Sequence, residues 1–183
     1  KKTFDRGDLN KDGVLEGKEL DIAFLRPDNF AGARFDVDNP ADEFVMAVRG
    51  GGRGDVTKTH VLWKHPTKYT DHIVSPLLID DRIFLVKSGG ISTCFDTKHG
   101  KPVWTKKRIQ NDGEYFASPI YGDGKIYVAG ENGNIVVIQN GPTLEVLAKN
   151  DLESPILGTP AIADGRLFVR TRDRLYCFST LSR

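Results

Sequence analysis

The chain has 183 residues, 39% apolar and 28% charged, which suits one folded domain or slightly more and excludes a disordered chain. Lysine and arginine number 26 against 25 acidic residues, and the resulting net charge of +1 gives no support to a nucleic-acid binder. No stretch approaches the roughly 18 consecutive apolar residues of a membrane-spanning helix, and two cysteines cannot build a disulfide scaffold. The chain opens at Lys1-Lys2 and its single methionine is Met46, so it is expected to be a processed or truncated piece of a longer protein.

The first element is a loop, Asp8-Leu9-Asn10-Lys11-Asp12-Gly13-Val14-Leu15-Glu16-Gly17-Lys18-Glu19, which matches the twelve-residue EF-hand pattern at each diagnostic place. Asp8, Asn10 and Asp12 supply short oxygen-bearing side chains at places one, three and five. Gly13 permits the sharp turn, and Val14 offers its backbone carbonyl. Glu16 acts through a water, and Glu19 reaches back with both carboxylate oxygens. Hard oxygen donors in a flexible ring suit Ca²⁺ better than Mg²⁺, so the expected metal ligands are Asp8, Asn10, Asp12, Val14, Glu16 and Glu19. A helix is predicted from near Glu16, ended by Pro27 and Asn29. Only Lys1 to Gly7 precede the loop and no second hand follows, since Pro40 spoils the loop-like start at Asp36-Val37-Asp38. A sensor pairs two hands over a Met-rich groove, so the calcium reads as structural rather than signalling.

Residues 28–43 read as an acidic linker. Gly50-Gly51-Gly52-Arg53-Gly54 follows, a flexible turn rather than a phosphate loop, because no Gly-Lys-Ser/Thr ending or helix pattern comes after it. A strand is predicted over His60–His65. Then a pattern repeats. Ser75-Pro76, Ser118-Pro119 and Thr159-Pro160 are spaced 43 and 41 residues apart, as are Arg82, Lys125 and Arg166, which open the next strands. Each unit continues through a turn to a strand (Ile91–Phe95, Asn134–Ile138, Arg174–Phe178) that places Cys94, Val137 and Cys177 in equivalent positions. A last strand holds Trp104 in the first unit and Leu147 in the second. Trp63 precedes Trp104 by 41 residues and marks the end of an earlier unit. Four short strands in just over forty residues define a β-propeller blade. The expected fold is all-β: about three four-stranded antiparallel blades over residues 44–183, with a small helical calcium-binding segment over residues 1–27.

Together with Thr97-Lys98-His99-Gly100-Lys101-Pro102-Val103-Trp104, this repeat resembles the PQQ-like (pyrroloquinoline-quinone) β-propeller family. Gly52-Arg53-Gly54-Asp55-Val56-Thr57 and the run Thr159 to Thr171 resemble the closing blades of a planctomycete-type bacterial subfamily, some members of which carry an inserted EF-hand. The outer-membrane assembly lipoprotein has a similar propeller. The resemblance implies seven or eight blades in the whole protein and a periplasmic or secreted location. It implies partners among the remaining blades, another subunit, or a protein or glycan ligand.

The same resemblance raises a rival reading, a PQQ-dependent dehydrogenase. That site requires a vicinal disulfide, whereas Cys94 and Cys177 stand 83 residues apart, and the calcium loop lies outside the repeats. PQQ is therefore not expected, and no catalytic residue is assigned. Both cysteines read as small apolar strand residues, and Trp63 and Trp104 as blade-to-blade docking residues. His60, His65, His72 and His99 are scattered surface residues. Asp112 and Glu114 belong to a solvated loop, and the basic run Lys101 to Arg108 fits the outer strand of a blade.

Overall fold

The computed structural model describes residues 10–11, 44–66, 74–109 and 113–179. Two compact units divide the chain, Lys1–Asn39 and Pro40–Arg183. Of the first, only Asn10 and Lys11 are described, so the predicted helix lies outside the described residues, as does the acidic linker.

The second unit is built from antiparallel strands, with no helix among the described residues. Strands β1 (Phe44–Val48) and β2 (Val61–Pro66) form a two-stranded sheet. The second sheet runs β3 (Leu77–Ile79), β4 (Arg82–Lys87), β5 (Ile91–Asp96) and β6 (Pro102–Arg108), in that spatial order. The third repeats it with β7 (Ile120–Gly122), β8 (Lys125–Ala129), β9 (Asn134–Gln139) and β10 (Val146–Asp151). The fourth holds β11 (Ala161–Ala163), β12 (Arg166–Arg170) and β13 (Leu175–Ser179). Each full sheet is an up-and-down meander, as propeller blades are.

The register repeats with the sequence. Phe84 pairs with Cys94, Tyr127 with Val137 and Phe168 with Cys177. The tight turns entering β4, β8 and β12 hold Asp80, Asp123 and Asp164 at φ of 52°, 50° and 49°. Asp tolerates this left-handed region better than most residues, and in two of the turns Gly124 and Gly165 continue it, as a two-residue hairpin requires. The fourth strands depart from the strict repeat. Cys94 pairs with Trp104, but the matching Val137 pairs with Ala148, because the register shifts between Val146 and Ala148. Leu147 therefore sits at the irregularity rather than in the place Trp104 holds.

Two cores lie between sheets. Phe84, Val86, Cys94 and Trp104 of the second sheet cluster with Ile126, Val128, Val136 and Ile138 of the third. Ala129 and Ile135 then meet Val169 of the fourth, helped by Ala117 and Ile156 from the connections. A third-sheet strand is thus covered on both sides, which is why its sequence barely alternates. No described residue covers the far side of the fourth sheet: Leu175 is 71% exposed there, and Cys177 on the same face is exposed with it.

Stability follows this division. Phe84→Ala is expected to cost about 3–5 kcal/mol in urea unfolding, as large-to-small changes in packed cores do. Leu175→Ser in the isolated chain stays within about 0.5 kcal/mol, as a surface change does. Equal losses at the two positions would contradict the assignment of covered and uncovered faces.

Candidate functional site

The most organised site among the described residues is the contact between blades at the outer half of the second sheet. Trp63 on β2 donates its Nε1–H to the Thr97 carbonyl, 2.8 Å away in the turn between β5 and β6. That turn is shaped by Asp96, whose two carboxylate oxygens accept the backbone N–H of His99 (2.6 Å) and of Lys101 (2.8 Å). Gly100 has φ of 66°, and a Cβ on it would run into the Trp63 ring. The sequence Asp96-Thr97-Lys98-His99-Gly100 therefore makes a flat backbone seat on which an indole from the preceding sheet rests. Phe95 completes the seat, tilted against Trp63 at 6.4 Å and against His65 at 4.7 Å. Partial burial raises the Asp96 pKa, but the two backbone donors and the nearby His99 ring outweigh it and hold the carboxyl below its ordinary value.

Trp104 sits in the core between the second and third sheets, as blade docking requires. Its Nε1–H, however, turns to Ser92 Oγ in its own sheet, 3.3 Å away, and Ser92 Oγ donates on to the Lys107 carbonyl at 2.9 Å. The corresponding turn of the third sheet, Asn140-Gly141-Pro142, has no aspartate to fold it into a seat like the one at Asp96.

Nearer the first strands, the Ser/Thr-Pro signature has a role that pattern reading missed. The backbone N–H of Ser75 donates to Ser118 Oγ at 2.9 Å, and that of Ser118 donates to Thr159 Oγ1 at 3.0 Å. The hydroxyls that open the third and fourth sheets thus each register the sheet before them. Only the fixed spacing of the signature pointed that way.

The other predicted groups stay apart. His60 Nδ1 lies 2.7 Å from Thr59 Oγ1, His65 leans tilted against Phe95, and His99 pairs with Asp96 at 3.2 Å. His72 and Asp112 lie outside the described residues. Glu114 accepts a hydrogen bond from Ser88. No group of three metal-ligating side chains converges among the described residues. Of the predicted calcium ligands only Asn10 is described, exposed beside Lys11 at φ of 60°. Asp8, Asp12, Val14, Glu16 and Glu19 lie outside the described residues. Cys94 fits the apolar reading, buried with its thiol pushed up to about 11 chiefly by that burial. Cys177 corrects it: this thiol is exposed, because no described residue covers the far side of the fourth sheet.

Repeated four-stranded antiparallel sheets that stack face to face, with inner strands β3, β7 and β11 neighbouring in turn, define a β-propeller protein. The chain belongs to the family of the outer membrane protein assembly factor BamB, whose model matches residues 40–141 and 116–182. BamB from Moraxella catarrhalis is similar in structure, with a TM-score of 0.52 and 20% identity over 65% of this chain. The chain spans 36% of that protein. The computationally designed Ika4 protein matches with a TM-score of 0.54 and 14% identity, covering 76% of this chain and 81% of its own. A quinohemoprotein alcohol dehydrogenase from Pseudomonas putida HK5 matches at 0.42 and 15% identity over 52% of this chain and 16% of its own, too distant to bear on activity. No curated protein matches the sequence.

Gly100→Ala is expected to destabilise the unit by about 2 kcal/mol or more, from left-handed strain and the collision with Trp63. Loss of Trp63 burial will show as a red shift of its fluorescence. The Asp96 contribution is present above the unfolded value of 3.8 and is lost as pH falls through the lower folded value. Asp96→Asn accordingly flattens the acid limb of the stability curve; an unchanged limb would remove Asp96 from the account. With a thiol reagent at pH 8, Cys177 of the isolated chain reacts at once and Cys94 only on unfolding, so Cys177→Ser abolishes the fast phase.

Proposed function

We propose that the chain is a non-catalytic, calcium-binding portion of a larger propeller scaffold that works outside the cytoplasm, in the periplasm or as a secreted protein. The observation that carries the scaffold reading is the far side of the fourth sheet. Leu175 is 71% exposed there, while Ile135, one repeat earlier, is 3% exposed and packed in the core. A repeat whose inner copies are sandwiched is expected to take the same cover at its open face, from remaining blades or another subunit. Loops at the ends of stacked sheets then offer a rigid surface for a protein or glycan ligand. The family's link to outer membrane protein assembly supports both the protein partner and the location. No helix among the described residues is long and apolar enough to cross a membrane.

Calcium is assigned to Asp8, Asn10, Asp12, Val14, Glu16 and Glu19 on the strength of the loop pattern. The rival reading, a PQQ-dependent oxidoreductase, finds little support. The two cysteines stand on different sheets, β5 and β13, and both are free.

Calorimetric titration of the chelator-treated chain with Ca²⁺ is expected to show one site per chain, and Glu19→Gln to weaken it at least tenfold by removing one of the two anionic oxygens of the closing carboxylate. Titration without heat, or an unaffected variant, would remove the calcium assignment. Dye-linked alcohol oxidation after adding PQQ and calcium is expected to stay at background. Turnover above background would replace the scaffold reading with the enzyme.

A further inference from the structure

The outer edges of the second and third sheets hold the same place in the repeat but carry different charge. From Thr97 to Ile109 the chain has Lys98, Lys101, Lys106, Lys107 and Arg108 and no acidic residue. All five cations are exposed. Lys98, Lys101, Lys106 and Lys107 make no ion pair among the described residues, and Arg108 donates to the Gly89 carbonyl at 2.8 Å. The matching edge of the third sheet, β10, is fully exposed too, yet it carries Lys149 with Asp151 and is flanked by Glu145 and Glu153.

Edge strands often carry lysine to discourage pairing with other strands. That purpose does not account for five cations here, because β10 is an equally open edge with one lysine. Moreover, Lys106 at φ of 51° already interrupts the strand geometry that an added strand would need. The geometry points to an electrostatic contact strip, with the outer edge of the second sheet lying against an anionic lipid surface. Lys101 to Arg108 covers roughly 23 Å at about 3.3 Å per residue, long enough to meet several headgroups at once.

The side-chain types select this partner over others. Four of the five cations are lysine, a compact point charge on a flexible stem that suits a diffuse anionic surface. Stereospecific protein contacts favour arginine and deplete lysine. A single-stranded nucleic acid needs exposed rings to stack on, whereas Trp104, on this strand, is 6% exposed and committed to the core. Val103 stands exposed beside the lysines and adds a small apolar contact at the interface.

The test is co-sedimentation of the full chain with vesicles of phosphatidylcholine mixed with phosphatidylglycerol, alongside pure phosphatidylcholine vesicles. Binding is expected only with the anionic lipid, and it is expected to disappear when salt is raised to about 0.5 M. The triple variant Lys101→Gln, Lys106→Gln, Lys107→Gln is expected to weaken partitioning roughly a hundredfold, about fivefold per lysine. Its far-ultraviolet circular dichroism and melting temperature stay those of the parent, so the loss is not one of folding. Lys149→Gln, on the matching edge, leaves partitioning unchanged. Absence of binding to the anionic vesicles, equal binding to neutral ones, or undiminished binding by the triple variant would overturn the assignment. Binding to poly-glutamate without binding to vesicles would overturn it too, in favour of an acidic polypeptide.

Discussion

A blade with two apolar faces survives in water only between two other surfaces. This constraint organises everything described in the second unit. Valines and isoleucines of the third sheet point to both sides, and each side is met by a neighbour. Hydrogen bonds close the strands within a sheet, but apolar burial holds the sheets to one another and contributes more of the stability. Polar contacts between sheets are few and set register. The Trp63 indole on the Gly100 seat fixes the outer half of one interface, and the chain of hydroxyls from Ser118 to Thr159 fixes the inner ends.

Much of this was legible in the sequence because a repeat shows itself as spacing. The strands opened by Arg82, Lys125 and Arg166 begin where the pattern put them, and Cys94, Val137 and Cys177 share a register position. The features that escaped depend on what lies across an interface. Whether an indole donates forward to the next blade or inward to its own depends on the facing turn; Asp96 shapes a seat for Trp63, and the third sheet has no aspartate in the matching turn for Trp104. Exposure of Cys177 reflects the uncovered far side of its sheet, which no local property of Leu175 to Ser179 records. The slip that replaces Leu147 by Ala148 opposite Val137 comes from a strand irregularity, and one-residue slips leave little trace in an apolar run.

The candidate sites divide along the same line. The proposed calcium loop is wholly a matter of local sequence, so the expected ligand set from Asp8 to Glu19 rests on spacing without any fold, and only Asn10 of that set falls among the described residues. The basic edge was readable as composition from Lys101 to Arg108. Its meaning emerged only when the third sheet supplied an equivalent edge of different charge. The surfaces proposed for binding are then places where one copy of the repeat departs from the others: an open apolar face on the fourth sheet and a cationic edge on the second. Membership in the BamB family fits a scaffold that works through such surfaces.

The central claim is that the open face of the fourth sheet is covered in the working particle. Light scattering coupled to size-exclusion chromatography, on protein purified from its native source, measures this most directly. The account predicts a particle well above 20.3 kDa in which Leu175 and Cys177 are protected from solvent. A homogeneous 20.3 kDa monomer with a freely reactive Cys177 would contradict it.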